Sequence, residues 1–313
     1  MIAQSALARQ ADVSQSLRFP LSSMEQDEIE SFPEVVKRSL RRAARLQEKF
    51  GGLLEESKIS LPERSCVCLS GSVSRLESVE DSDIDYVLIW NDGYANNGNL
   101  DGENDQDRLR AREAVSRVNS MLASKELRPC DSFSCDKALS DLISTENLFS
   151  RYSILTLIDS TFAMGSEEAY YHSLKKIEEK LGEYAINVSA ETQVTRTLLW
   201  YIQREGWMDQ LHYGTSVNRF SRLIQLFATI LSINQFGIDE TRKTKTTWLR
   251  IEKLEPYVAI DTVDCLKKLW VRSLELKERR SSSPMLSQSG FTGVSKLVEI
   301  WKMLYGLSQT PLM

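Results

Sequence analysis

The stretch from Cys66 to Trp90, CVCLSGSVSRLESVEDSDIDYVLIW, constrains the fold of this 313-residue chain more than any other. A short apolar run, Cys66–Leu69, ends at a serine-glycine-serine turn, and a second apolar run, Tyr86–Trp90, follows a polar link. This pattern predicts two β-strands joined by a turn and a short polar segment. We therefore expect a small β-sheet in this region.

Two carboxylates stand immediately before the second predicted strand. Side chains two residues apart in an extended chain point the same way, so Asp83 and Asp85 are expected side by side while Ile84 faces the core. Two neighbouring anions repel each other unless a cation or a proton lies between them. Mg²⁺ is the natural cation, because it takes one or two carboxylates and completes its shell with water and substrate phosphate. Asp83 and Asp85 are therefore the predicted metal ligands and catalytic residues, with Mn²⁺ as an alternative ion.

The turn before this pair has the composition of a phosphate site. Gly71 lets backbone N–H groups approach a phosphate closely, and the Ser72 hydroxyl adds one donor. Arg75 is predicted to neutralise phosphate charge. The alternative for Arg75 is a surface salt bridge with Glu77 or Glu80. A phosphate site beside a metal-binding carboxylate pair is what phosphoryl or nucleotidyl transfer needs.

The motif Gly71-Ser72, an intervening arginine and then Ser82-Asp-Ile-Asp85 resembles the signature of the DNA polymerase β-type nucleotidyltransferase superfamily. The placement of Arg75 and Glu77 is most similar to the protein-PII uridylyltransferase branch and its nucleotidyltransferase relatives with a helical substrate-binding domain. Segment 156–165 also resembles these relatives, although Thr161 stands where they usually have an arginine.

The resemblance implies transfer of a nucleoside monophosphate from ATP or UTP to a hydroxyl acceptor, a protein or a small molecule, with release of pyrophosphate. Many members of the superfamily carry a third carboxylate on a nearby strand. Asp131 is the candidate here, with Glu126 as the alternate, and it would help to deprotonate the acceptor hydroxyl. Two other functions remain open: a catalytically weak or inactive nucleotide-binding regulatory protein, and an antitoxin-like partner protein.

Charge and cysteine content narrow the class of protein. The net charge of −5 argues against a dedicated nucleic-acid binder, which normally has a basic excess. The five cysteines are odd in number, and the Cys66-x-Cys68 spacing suits neither a disulfide nor zinc. These features favour reduced thiols and a cytoplasmic location. The chain shows no apolar leader and no run of membrane-spanning length, so no membrane association is expected.

The predicted fold class is α+β, with a small mixed sheet flanked by helices and followed by an all-α bundle. The expected domains are an N-terminal arm (1–30), a nucleotidyltransferase domain with a leading helix (31–185), and a helical substrate-binding or interaction domain (186–313). The active site is expected in the cleft between the two larger domains.

Apolar periodicity predicts most of the connecting elements. A capping box at Ser31–Glu34 opens a helix that runs to about Ser57. Residues 91–107, rich in Asn, Gly and Asp, are expected to form an exposed loop. Further helices are predicted at 108–123 and at 147–164, with Gly165 as the residue after the end of the second. Another helix is expected from Ser166 to 181. From about 185 the chain is expected to be helical throughout, with a stop at Gly237.

Overall fold

The computed structural model describes residues 26–79, 82–91, 103–129, 135–148, 150–184, 188–206, 208, 217–279 and 294–309. The described residues form two compact units. Residues up to 32 and 40–178 belong to the first unit, and residues 33–39 and those from 179 onward belong to the second. In the described part of the chain, no helix is both long enough and apolar enough to cross a membrane.

The first unit contains a four-stranded mixed sheet. Its strands are β1 (Ser65–Leu69), β2 (Tyr86–Trp90), β3 (Cys135–Ala138) and β4 (Thr161–Gly165), in the order β3-β2-β1-β4. Strand β1 is antiparallel to both β2 and β4, whereas β3 is parallel to β2. Every residue of β1 and β2 is buried, as expected for central strands covered on both faces. The mixed sheet with its helices confirms the predicted α+β class.

The helices up to the unit boundary surround this sheet. They are α1 (Gln26–Ser31), α2 (Glu34–Ser57), α3 (Gly71–Ser74), α4 (Glu103–Ser124), α5 (Leu139–Ile143), α6 (Arg151–Asp159) and α7 (Glu167–Tyr184). Helices α2 and α4 bury apolar side chains such as Phe50 and Val118 in one core with the strands. The Tyr86 hydroxyl of β2 donates to Asn119 Oδ1 at 2.8 Å, which ties α4 to the sheet.

The described part of the second unit is helical, as the apolar stripes predict. Its later helices are α8 (Ala190–Arg204), α9 (Val217–Lys243), α10 (Thr247–Lys253), α11 (Ile260–Glu278) and α12 (Val294–Gln309). Gly237, with φ of 84°, interrupts the regular helix of α9 at the predicted stop. Arg250 is fully buried, where its Nε donates to the Thr244 carbonyl at 2.8 Å and its Nη1 to Thr229 Oγ1 at 2.7 Å. These bonds hold α10 against α9.

The predicted helix 147–164 is wrong in its last third. Helix α6 ends at Asp159, Ser160 is extended with ψ of 152°, and the chain continues as β4. Thr161 and Phe162 pair with Leu69 and Cys68, so β4 satisfies the backbone groups along one edge of β1. The apolar spacing of α6 continues into β4 by coincidence, which is why periodicity alone misassigned the strand.

Gly165 therefore ends a strand and does not terminate a helix. Its φ of 98° is left-handed, and a Cβ there would lie 2.5 Å from the Ser65 carbonyl oxygen. Ser166 does cap the next helix, since its Oγ accepts from the Ala169 N–H at 3.1 Å. The sequence also missed β3 entirely.

The predicted loop 91–107 is too long at its end. Helix α4 begins at Glu103, five residues before its predicted start, and residues 92–102 lie outside the described residues. An acidic side chain such as Asp105 is favourable in the first turn of a helix, which is consistent with the earlier start of α4. Most of the predicted N-terminal arm also lies outside the described residues, although 26–31 are helical.

Candidate functional site

The turn after β1 packs directly against one of the two predicted metal ligands. The Ser70 N–H donates to the Asp85 carbonyl at 2.8 Å, and Gly71 has a left-handed φ of 64°. A Cβ at Gly71 would lie 2.8 Å from Asp85 Cγ and closer still to Asp85 Oδ2. No side chain fits there without moving the carboxylate. The structure thus brings Gly71 and Asp85 together; Ser72 follows Gly71 in the same short helix and is half-buried.

The backbone around the acid pair alternates as the sequence predicts. Asp83 is exposed, Ile84 is fully buried, and Asp85 is half-buried. The Ile84 N–H donates to the Arg128 carbonyl at 2.8 Å, and Ile84 forms an isolated parallel bridge with Pro129. The segment after α4 therefore holds the backbone between the two acids, with Ile84 in the core.

Arg75 lies in a buried ion cluster beside this pair. Its Nε donates to Glu77 Oε2 at 3.0 Å and its Nη1 to Asp159 Oδ2 at 3.4 Å. The exposed fractions of the three side chains are 12%, 5% and 1%, respectively. Burial opposes the charge on Arg75, but the negative charges of Glu77, Asp159 and Asp85 outweigh it and raise the pKa of the guanidinium. Of the two surface partners considered for Arg75, Glu77 is a partner in a buried pair, and Glu80 lies outside the described residues.

A second set of bonds holds α3 in place. Ser74 Oγ donates to the main-chain carbonyl of Asp159 and lies 2.8 Å from Thr161 Oγ1. Thr161, where the resembled relatives usually carry an arginine, is buried at the start of β4. Helix α3 is therefore attached to the end of α6 and to the start of β4, on the side of the sheet edge formed by β4.

The third predicted carboxylate is not placed. Asp131 lies outside the described residues. Its alternate, Glu126, is exposed in the turn after α4 with φ of 57°, and its N–H donates to the Ala123 carbonyl. Among the described residues, no group of three or more His, Cys, Asp or Glu side chains could hold a metal ion. The described part of the site thus offers two carboxylates.

The donor set fits a hard divalent cation and a phosphate. Asp83 and Asp85 supply oxygen ligands, the type that Mg²⁺ prefers. Because Gly71 has no Cβ, the Asp85 carboxylate can lie directly against the backbone of the turn. The Ser70 hydroxyl is buried and has no hydrogen-bond partner among the described residues, so it has a donor to offer at the turn.

Sequence reasoning missed the part that Asp159 plays here. Asp159 is fully buried and contacts both Arg75 and Ser74. One signal was present, since a lone carboxylate within the apolar segment 154–162 must find a partner when it is buried. The identity of that partner could not be read from spacing, because Arg75 lies 84 residues earlier.

Comparison with known proteins gives one family match. Residues 25–134 match the family described as "Putative nucleotidyltransferase DUF294". The matched region is 110 of the 313 residues and contains Gly71, Ser72, Arg75, Asp83 and Asp85. No curated protein matches the chain. The match supports a nucleotidyltransferase-type family for this region, and it says nothing about uridylyl or adenylyl specificity.

Proposed function

We propose that the protein is a Mg²⁺-dependent nucleotidyltransferase that moves a nucleoside monophosphate from a nucleoside triphosphate to a hydroxyl acceptor and releases pyrophosphate. The observation that carries this proposal is the close packing of Gly71 against Asp85, inside the region that matches the nucleotidyltransferase family. A triphosphate bound through the N–H groups of this turn would lie next to the metal-binding carboxylates.

Each residue of the site has a role in this proposal. Asp83 and Asp85 hold the metal ion, and Mn²⁺ can replace Mg²⁺. The bound ion would neutralise charge on the transferring phosphoryl group and hold the reacting oxygens in line. Gly71 and Ser72 receive the triphosphate, and Arg75 adds positive charge beside Asp85. Asp131 takes the proton of the acceptor hydroxyl, whose oxygen bonds to the α-phosphorus as the bond to pyrophosphate breaks.

The resemblance to uridylyltransferases suggests UTP or ATP as the donor and a protein or a small molecule as the acceptor. We further propose a cytoplasmic location. The four cysteines that the structure describes, Cys66, Cys68, Cys135 and Cys265, are free thiols, which supports a reducing compartment.

The first prediction is that Asp83→Ala abolishes Mg²⁺-dependent transfer without unfolding the protein. Asp83 is exposed, so its loss should leave the midpoint of thermal unfolding nearly unchanged. Each labelled triphosphate is incubated with the protein and Mg²⁺, and pyrophosphate and labelled product are measured. Asp105→Ala, an exposed aspartate of α4 away from the motif, is the matched control and should keep full activity. Transfer by Asp83→Ala at the wild-type rate would contradict the mechanism.

Calorimetry separates this proposal from its main alternative. A nucleotide-binding regulatory protein would bind the Mg²⁺–triphosphate complex tightly and release no pyrophosphate. An antitoxin-like protein would show neither binding nor release and would instead co-purify with its partner. Binding accompanied by pyrophosphate release supports the transferase.

A further inference from the structure

Asp159 contacts Ser74 and Arg75, which lie just after the predicted phosphate turn. Its side-chain Oδ2 accepts from Arg75 Nη1 at 3.4 Å, and its main-chain carbonyl accepts from Ser74 Oγ. Asp159 is the last residue of α6 and is fully buried. A fully buried carboxylate persists in a folded protein only when it is paired and hydrogen-bonded, so these contacts account for its position.

The guanidinium of Arg75 is fixed from two directions. Its Nε edge faces Glu77 and its Nη1 faces Asp159. The planar fork of an arginine cannot turn without breaking at least one such bond. The Arg75 N–H also donates to the Gly71 carbonyl at 3.2 Å, which keeps the residue next to the turn.

The Asp85 carboxylate lies against Gly71, the residue whose carbonyl accepts from the Arg75 N–H, and its charge contributes to the raised pKa of the guanidinium. Arginine forms strong, often bidentate, hydrogen bonds with carboxylates. An Arg75 side chain released from Asp159 would therefore be able to pair with Asp85. Such a pair would occupy oxygen atoms that the proposed metal ion needs, because the Asp85 oxygens would accept hydrogen bonds from the guanidinium instead.

We propose that Asp159 is a positioning residue that holds Arg75 away from Asp85 and so keeps the Asp85 carboxylate available to a divalent cation. The inference rests on the proposed function, since it concerns the metal-binding pair of that site. It assigns Asp159 no contact with substrate. The proposed role of Asp159 acts through Arg75, and its main-chain bond from Ser74 would survive a change of side chain.

The test measures Mn²⁺ binding to the full chain by electron paramagnetic resonance, without nucleotide. Asp159→Asn keeps the shape of the side chain but removes one of the two charges that hold Arg75, the one at its Nη1. We expect the Mn²⁺ concentration at half-saturation to rise about tenfold, because a charge-assisted hydrogen bond must then be broken before the ion binds. Asp239→Asn is the matched control, since it removes an exposed aspartate that also pairs with an arginine Nη1, that of Arg242, at 3.2 Å. The control should bind Mn²⁺ like the wild type.

A double variant distinguishes positioning from a purely structural role. Asp159→Asn combined with Arg75→Gln removes the released cation, so Mn²⁺ affinity should return toward the wild-type value. If Asp159 only supported the local fold, the double variant would bind Mn²⁺ no better than the single variant. Circular dichroism and thermal unfolding establish that each variant is folded.

The outcomes are distinct for this inference and for the proposed function. Folded Asp159→Asn protein with unchanged Mn²⁺ affinity would overturn the positioning role while leaving the transferase proposal intact. If Asp159→Asn does not fold, Glu77→Gln is measured instead, because it releases Arg75 from its other carboxylate. The half-saturating Mn²⁺ concentration should again rise, and an unchanged value would overturn the positioning role. Wild-type protein that binds no Mn²⁺ would overturn both proposals, whereas Mn²⁺ binding without transfer would overturn the transferase alone.

Discussion

Gly71 meets two separate constraints, and either one alone would favour glycine at this position. Its φ of 64° lies in the left-handed region, and a Cβ would overlap the Asp85 carboxylate. We predict that Gly71→Ala lowers the free energy of unfolding by about 2 kcal/mol, of which about 1–2 kcal/mol is backbone strain. Nucleotide transfer should be lost as well, because the methyl group displaces Asp85. Urea unfolding and the pyrophosphate assay measure the two effects.

Gly52→Ala is the matched control for this change. Gly52 lies inside α2, has no positive φ, and a Cβ there meets nothing within 4 Å. Alanine should therefore stabilise the helix, by up to about 1 kcal/mol. Equal stability of the two alanine variants would show that the turn is not held as the structure has it.

For single residues, the sequence predicts a role well when the partners of that residue lie nearby in the chain. Gly71 and Asp85 are 14 positions apart, and the two-strand pattern was enough to place them in one site. The environment of Arg75 was not predictable in the same way. Its partner Asp159 belongs to a helix far away in the sequence. Whether Arg75 binds phosphate or forms an ion pair depends on how deeply its side chain is buried, which residue spacing does not reveal. The role of Asp131 stays a prediction.

The helices and strands, too, were predicted best where the signals that specify them are local in the sequence. Helix α2 and strands β1 and β2 were predicted within a residue or two, because turns and long apolar patterns mark them locally. The capping box predicted for α2 is wrong, since Ser31 is the last residue of α1 and α2 begins at Glu34. Strands β3 and β4 are the two edges of the sheet, and they are no longer than the central strands β1 and β2. Unlike the central pair, β4 has no alternation or flanking turn of its own in the sequence and is specified by the edge of β1 that it completes, so it was taken for the end of α6.

The attachment of α3 to β4 can be tested by a double-mutant cycle. Ser74→Ala and Thr161→Val, alone and combined, remove the two hydroxyl groups that lie 2.8 Å apart. We expect a coupling free energy of about 1 kcal/mol from urea unfolding, the usual net value of a buried hydrogen bond. Ser74→Ala combined with Ser120→Ala, an exposed serine of α4, should be additive. A coupling indistinguishable from that of the control pair would contradict a direct bond between α3 and β4.

For the whole molecule, the fully buried central strands β1 and β2 determine how stability responds to alkaline pH. Burial raises the pKa of the Cys66 thiol well above its ordinary value, assisted by the neighbouring Cys68. Burial also raises the pKa of the Tyr86 phenol, with a smaller contribution from Cys135. Both groups stay protonated in the folded chain at a pH where the unfolded chain has released its thiol protons. The folded state then binds more protons than the unfolded state, so stability must fall as pH rises.

The size of this effect can be predicted from the ordinary thiol pKa of about 8.5. Below that pH the contribution of Cys66 is fully present, and above it the free energy of unfolding should fall by up to about 1.4 kcal/mol per pH unit for each such group. Urea unfolding at several pH values between about 7 and 10 measures the slope. Cys66→Ala should make the slope shallower. Cys265→Ala should change it less, because Cys265 is half-buried and Lys296 and Lys268 oppose the rise in the pKa of its thiol. Identical slopes for the wild type and Cys66→Ala would mean that water reaches the Cys66 thiol, and that β1 is not the closed central strand on which the site is built.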